Sequence, residues 1–402
     1  MKRSALLKPA LLAAASIFAF ATASAPVLAQ GEFTLNSRLR WESVDQDGFA
    51  NEAQAVTLRT RFGYQSENFD GLTFLIEGEN VLHLADDFND TINGLPGYPV
   101  VADPEETELN RLQLTAELSD TTTAIVGRQR IILGDARYVG NVGFRQNEQT
   151  FDAVVLRNTS VENLTVTYAY LDRVHRIFGD DHPAGELSMN THTLWGALAT
   201  DAGTFTGFAL LADVDAISGW STSTYGVNWK GSFGEEGGPS FGYMFEWAHQ
   251  SDYADNTANF DLNMFRAEAS VSQNGLGAAI GIESLEGNGS RGFITPLATL
   301  HKFQGWADVF LGTPANGIRD VYVRGSVNIS EPPFGTGMNA ALVFHDYESE
   351  TGSQDLGSEF DAVLTSRINE HFSAQLKAAF YNGASGGPGD RDKIWFAITY
   401  NR

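Results

Sequence analysis

Cysteine is absent from the 402 residues, which excludes a disulfide framework and any thiolate metal centre. Lysine is almost absent: beyond Lys2 and Lys8 there are only Lys230, Lys302, Lys377 and Lys393, against nineteen arginines after Arg3. Positive charge is outweighed, the formal net charge being −24, and nothing resembles the basic face that a phosphate backbone requires, so no nucleic-acid partner is expected. No Pro- or Ser-rich linker divides the chain into domains. Its glycine-rich stretch, Gly386-Gly387-Pro388-Gly389, lacks the Lys-Ser/Thr of a phosphate loop. The apolar stretch Ala10–Ala21 is too short and alanine-rich for a bilayer-spanning helix of about 20 residues.

That stretch follows Lys2, Arg3 and Lys8 and precedes Val27-Leu28-Ala29, the order of a secretory signal peptide cleaved after Ala29. The expected organisation is a signal peptide over 1–29 and one unit over 30–402. From Phe33 onward the hydrophobic period is two. Phe33, Leu35, Leu39 and Trp41 alternate with Thr34, Asn36, Arg38 and Arg40, and Phe241, Tyr243, Phe245 and Trp247 repeat the pattern. The segments are near ten residues long and many end in Trp, Tyr or Phe. A tilted strand needs that length to cross a bilayer, and aromatic girdles mark its interfaces. The fold class expected is all-β: a transmembrane antiparallel β-barrel.

Link lengths fix the strand number. Short, turn-rich links at 66–71, 119–121, 158–163, 200–203, 233–239, 273–275, 331–335 and 369–371 alternate with longer ones at 43–52, 83–107, 132–149, 172–190, 215–220, 251–258, 286–317, 348–357 and 382–392. Outer-membrane barrels place short turns in the periplasm and long loops outside, with both termini periplasmic. Gly305–Leu311 reads as a strand by pattern but would give an odd number. Assigning it to the 286–317 loop yields about 18 strands with correct parity.

Residues two apart on a strand share a face, so Arg38 with Arg40, Arg59 with Arg61, and Arg128 with Arg130 are expected to project in pairs, with Arg111 and Arg157 in the same half of the chain. A guanidinium facing mid-bilayer lipid costs about 2–4 kcal/mol, which predicts a lumenal, pore-lining position for all of these. Such a wall attracts carboxylate or phosphate groups. The competing reading pairs the arginines with lumenal acids such as Glu77, Glu79, Glu117 and Asp152, and both can hold in one lumen.

Three other classes lack support. A barrel hydrolase needs His and Ser on adjacent strand faces near the outer rim, but His192, His249 and His345 are isolated and no nucleophile motif accompanies them. Asp86-Asp87-Phe88-Asn89-Asp90 has oxygen ligands without a calcium-loop spacing. A plugged receptor needs a domain for which the few residues between Ala29 and the first strand leave no room. No catalysis, cofactor or metal is expected. The expected partners are outer-membrane lipid and anionic solutes, with a monomeric barrel and no periplasmic scaffold identifiable. A general small-solute porin and a non-conducting structural or adhesive barrel are the alternatives.

Two blocks, Gly127-Arg-Gln-Arg-Ile-Ile-Leu-Gly-Asp-Ala-Arg-Tyr-Val-Gly140 continuing through Phe144-Arg-Gln-Asn147 to Val154, and Pro296-Leu-Ala-Thr-Leu-His-Lys-Phe-Gln-Gly-Trp-Ala-Asp308 through Tyr322, resemble hallmarks of the bacterial alginate export family of outer-membrane proteins. The resemblance implies an eighteen-stranded barrel whose arginine-rich pore passes an anionic polysaccharide such as alginate. Carried over from the first block, it makes Arg128, Arg130, Asp135, Arg137, Arg145, Gln146 and Asp152 the constriction or its support. From the second, it makes Thr299, His301, Lys302, Trp306 and Asp308 contacts on a loop over the pore.

Overall fold

The computed structural model describes residues 31–402 apart from Phe334; the expected signal peptide lies outside the described residues. Eighteen strands follow one another: β1 (Gly31–Gln46), β2 (Ala53–Ser66), β3 (Leu72–Asp87), β4 (Glu106–Ser119), β5 (Thr122–Gln129), β6 (Thr150–Asn158), β7 (Leu164–His175), β8 (Glu186–Thr200), β9 (Gly203–Ala212), β10 (Thr222–Gly234), β11 (Ser240–Asp252), β12 (Asp261–Gln273), β13 (Leu276–Leu285), β14 (Ile318–Ile329), β15 (Gly337–Glu348), β16 (Asp355–Arg367), β17 (Phe372–Asn382) and β18 (Arg391–Asn401). Each pairs antiparallel with its sequence neighbours, and β18 pairs with β1, from Asn36 opposite Asn401 to Gln46 opposite Arg391. Closure leaves no free sheet edge, the condition for a sheet to span lipid.

Eight short turns cluster at one end and nine longer links at the other, in the order expected from the link lengths. Gly305–Leu311 lies in the link between β13 and β14, as parity required. Strand limits differ most at β7 and β8, which reach His175 and Glu186 inside the expected 172–190 loop.

The outer face is apolar all round: Phe62, Ile76, Leu114, Phe245, Ile280, Phe344, Leu376 and Phe396 are among its exposed side chains. Moving such a side chain from water into an apolar medium gains about 1.5–3 kcal/mol, so this belt sits in hydrocarbon. At the turn end Phe33 packs on Tyr64, Trp229 on Phe205 and Tyr243, and Phe372 on Tyr400, a girdle at the level of the headgroups. The chain is a transmembrane barrel of the outer-membrane type.

The inner face departs from a simple polar lumen. Along β6–β12 it carries Phe151, Leu171, Leu187, Met189, Leu210 and Met264, all buried. Two long links turn inward and cover them. Residues 130–149 supply Ile131, Leu133, Tyr138 and Val139, and residues 286–317 supply Phe293, Leu297, Ala307 and Phe310, to one continuous apolar core. The barrel therefore holds a hydrophobic core inside as well as a lipid-facing belt outside.

Candidate functional site: a lumenal constriction

The two inward loops meet in a parallel bridge between Val139 and Leu297. Gly140 N–H donates to Leu297 O (2.9 Å), Thr299 N–H to Ala136 O (3.0 Å), and Gln149 Nε2 to both Gly140 O (2.8 Å) and Leu297 O (3.0 Å). Backbone strain concentrates here: Ala136 (φ 71°), Val142 (φ 50°), Gln304 (φ 51°) and Asp308 (φ 59°) are all left-handed. For a β-branched residue such as Val142 that conformation is a real outlier, sustained by Val142 N–H donating to Thr299 Oγ1 at 3.1 Å. A Cβ at Gly140 would overlap Thr299 Oγ1 and Ala136 Cβ. Gly140→Val should therefore part the loops, at a cost of about 1–3 kcal/mol. Faster hydrogen exchange over 130–149 and 293–310, with an intact barrel, would register it.

Three charge networks lock the loops to the wall. In the first, Arg145 reaches Glu42 (3.1 Å), Asp308 (3.4 Å) and Asp103 (3.6 Å), Arg40 pairs with Asp103, and Lys393 meets Asp308 at 2.8 Å. His301 lies against Asp308 (2.7 Å), with Lys377 Nζ donating to its Nε2 (2.6 Å) and Phe144 stacked on its ring at 3.6 Å. Burial drives the His301 imidazole down to about 3; Asp308 opposes this and Lys377 reinforces it, so the ring is neutral at ordinary pH. Burial would by itself raise the Asp103 and Asp308 carboxyls. Arg40 and Arg145 outweigh it at Asp103; at Asp308 the His301 Nδ1–H hydrogen bond does so with the charges of Lys393 and Arg145, leaving both below the usual carboxylate range.

In the second network Glu148 receives Arg130 Nε (2.8 Å), Asn110 (2.7 Å) and Asn141 (2.9 Å), with Arg61 at 3.5 Å. Burial opposes ionisation, yet Arg61 and Arg130 hold this carboxyl at about 2. Arg61 also pairs with Glu79, and Arg111 with Glu77 at 2.7 Å. In the third, Arg137 bridges Glu283 (2.6 Å) and Thr295 (2.9 Å), Arg266 joins Asp135 (2.9 Å) to Glu246 (2.8 Å), and Lys302 Nζ donates to Asp135 O (2.7 Å).

Arg38, Arg40, Arg59, Arg61, Arg111, Arg130, Asp135, Arg137, Arg145 and Gln146 thus gather in the lumen with Thr299, His301, Lys302, Trp306 and Asp308, where Trp306 lies under Lys377 Nζ at 3.9 Å. Three residues expected there do not. Arg128 stands opposite Leu112 and Asp152, on the face that carries Leu114, Val126 and Leu156 outward. Arg128 and Asp152 pair with each other at 3.0 Å on the outer surface, with side chains 23% and 31% exposed. The two-residue rule failed because β5 ends at Gln129, so Arg130 leaves the strand and turns inward while Arg128 faces out. Arg157 is on the inner face but exposed near the turn end, opposite Thr123, away from the loops. Glu42, Asp103, Glu148, Glu283, Lys377 and Lys393 were missed. The scarcity of lysine was the available signal for the last two.

One adjacent pair stands apart. Arg38 and Arg59 face each other across β1 and β2, and among the described residues neither forms an ion pair with a carboxylate. Arg38 is held by Gln146 Oε1 (2.9 Å) and the carbonyls of Gly143 (3.2 Å) and Arg145. Arg59 bonds Asn36, and its buried Nε has no partner. At the turn end the lumen holds a cavity of about 920 Å³ bordered by the polar side chains Asn328, Asn339, Thr365, Arg367, Ser373 and Asn401.

No protein-family model matches the chain, and no curated protein matches it. Among solved structures it is similar to OccAB4 of Acinetobacter baumannii (TM-score 0.73, 13% identity, covering 93% of this chain and 98% of that one) and to OccK9 (OpdG) of Pseudomonas aeruginosa (0.73, 15%, 93% and 98%). OpdL of Pseudomonas aeruginosa is a further match (0.69, 15%, 93% and 99%). These findings correct the expected membership of the alginate export family: its motif-like blocks bring no family match, and the three barrels named above, which share this architecture from end to end, are of the Occ and Opd type.

Proposed function

We propose that the chain is an outer-membrane channel for passive passage of small solutes, with a preference for anions set at Arg38 and Arg59. Its place is the outer membrane of a Gram-negative cell, reached after removal of residues 1–29. The observation that carries the reading is the Arg38–Arg59 pair, two adjacent guanidiniums without a carboxylate partner in a lumen where the other constriction arginines are matched. Two adjacent guanidiniums left without a carboxylate carry uncompensated positive charge, and their field favours an anion at this point of the lumen. Matched pairs such as Arg61 with Glu79 offer a passing anion little, because their fields largely cancel.

A polymer cargo is disfavoured by the two bonded loops that turn into the lumen, which favours small solutes. The test is the reversal potential of single channels in a KCl gradient across a planar bilayer. Anion preference is expected, and its loss in Arg38→Ala/Arg59→Ala at unchanged barrel fold. A cation-preferring or electrically silent wild-type barrel would refute the proposal.

A further inference from the structure

Outside the lumen, the outer rim carries a group of side chains that permeation does not use. β7 ends at His175 and β8 begins at Glu186, and the pair lies opposite in register. Both face outward, because Val174 and Leu187 beside them are buried in the inner core. The loop between them is held by Arg176 N–H to Gly185 O (2.7 Å) and by the Arg176 guanidinium over Phe178 (4.6 Å) and Trp220 (5.0 Å). It brings back Asp180, whose N–H donates to Glu106 Oε2 at 3.0 Å.

His175 is only 3% exposed, and its two ring nitrogens are in different situations. Nε2 lies 3.0 Å from Asp152 Oδ2. Asp152 also accepts from Arg128 and can only accept, so Nε2 carries the proton and Nδ1 presents a bare lone pair. That Nδ1 is buried without a hydrogen-bond partner. It points at Glu186 Oε2, 3.4 Å away, while Glu186 Oε1 is taken by Arg173. Two acceptors face each other across a gap that only a cation or an extra proton can fill. One ligand atom from each of His175, Asp180 and Glu186 lies within 4.8 Å of the other two.

We propose that His175, Asp180 and Glu186 bind a divalent transition-metal ion at the extracellular rim, with Asp152 as the outer partner that orients the imidazole. Two ligands bound at about 2.1 Å in a tetrahedron stand roughly 3.4 Å apart, which matches the separation of Nδ1 and Oε2. An imidazole with two carboxylates suits zinc better than calcium, which takes six or more oxygens. The carboxylate behind the imidazole is the arrangement that fixes a metal-binding tautomer. Arg128 and Asp152, displaced from the pore by the strand register, become the support of this site.

The experiment is calorimetric titration of zinc chloride into the untagged, chelator-stripped full barrel in detergent, at neutral pH. One saturating event per barrel is expected. It should be lost or weakened at least tenfold in His175→Gln and in Glu186→Gln, and weakened about 10–100-fold in Asp152→Asn. Heat-modifiable electrophoretic mobility verifies that each variant is folded, and zinc should slow hydrogen exchange over residues 176–185 in the wild type alone. No saturable binding by the wild type would mean that a proton fills the gap, and would overturn the proposal. Binding that persists unchanged in a folded His175→Gln barrel would overturn it equally.

Discussion

Replacing residues 296–311 with a short Gly-Ser link is expected to raise single-channel conductance severalfold while the barrel stays closed. The segment supplies Leu297, Ala307 and Phe310 to the inner core and Thr299, His301 and Asp308 to the seam and the first charge network. Every strand pairing, including β13 with β14, lies outside it. Wall and constriction are thus separable in the sequence, as they are in space. Removing the segment takes away Asp308 and Lys302 together, leaving the formal charge of the lumen unchanged, while Arg38 and Arg59 stay on the wall. Anion preference should therefore survive as the pore opens, whereas a selectivity set by the loop would be lost on widening. Conductance and reversal potential recorded on the same channels separate the two cases. An unchanged conductance would show that the narrowest point lies elsewhere.

Arg145→Met should be the most destabilising single substitution in the constriction. Its guanidinium is shared by Glu42, Asp103 and Asp308, all buried. Truncation strands three carboxylates with only the charges of Arg40 and Lys393 and the N–H of the neutral His301 to answer them. Removing one partner from a buried pair costs about 3–5 kcal/mol. The loss should appear as a lower urea midpoint for the loop-protected tryptophan signal, Trp306 and Trp395 being close to the network.

Acid gives the sign. The Asp103 and Asp308 carboxyls are depressed in the folded state, so their contribution is complete above the ordinary carboxylate range and is lost as pH falls towards their folded values. Protonation removes the uncompensated charges that harm the variant. The gap between wild type and Arg145→Met should therefore narrow on acidification, and a gap independent of pH would rule out the electrostatic account. Glu148 follows the same rule, its support of the 130–149 loop persisting until pH falls from 4.5 towards about 2.

Much of the wall was legible because lipid and turn geometry impose strict periods. Alternation, aromatic strand ends and the parity of link lengths gave eighteen strands and placed 305–311 off the sheet. The constriction was only partly legible. Arg145, His301 and Asp308 were assigned to the pore by motif resemblance, but the family behind that resemblance was mistaken. Which acids they meet depends on how loops far apart in sequence fold across the lumen, and no local pattern encodes that. β7 shows why the inner core was hidden. Tyr168 and Tyr170 face lipid while Ala169 and Leu171 face the loops, so both faces are apolar and the period carries no contrast. Arg128 was misplaced for a different reason, the early end of β5.

The apolar seam between Val139 and Leu297 also dictates an order of assembly. Its halves are separated by more than 150 residues, and the floor on which they rest is made of inward side chains from β6 to β12, so the seat exists only once those strands have paired. Closing so distant a contact carries a large loop-closure entropy and comes late. During insertion the two loops must travel with Leu133, Tyr138, Phe293 and Phe310 unburied, and a chain halted at that stage would present adhesive surface on its outer side. On this reasoning the interior is expected to seal after the wall, as a late phase of refolding.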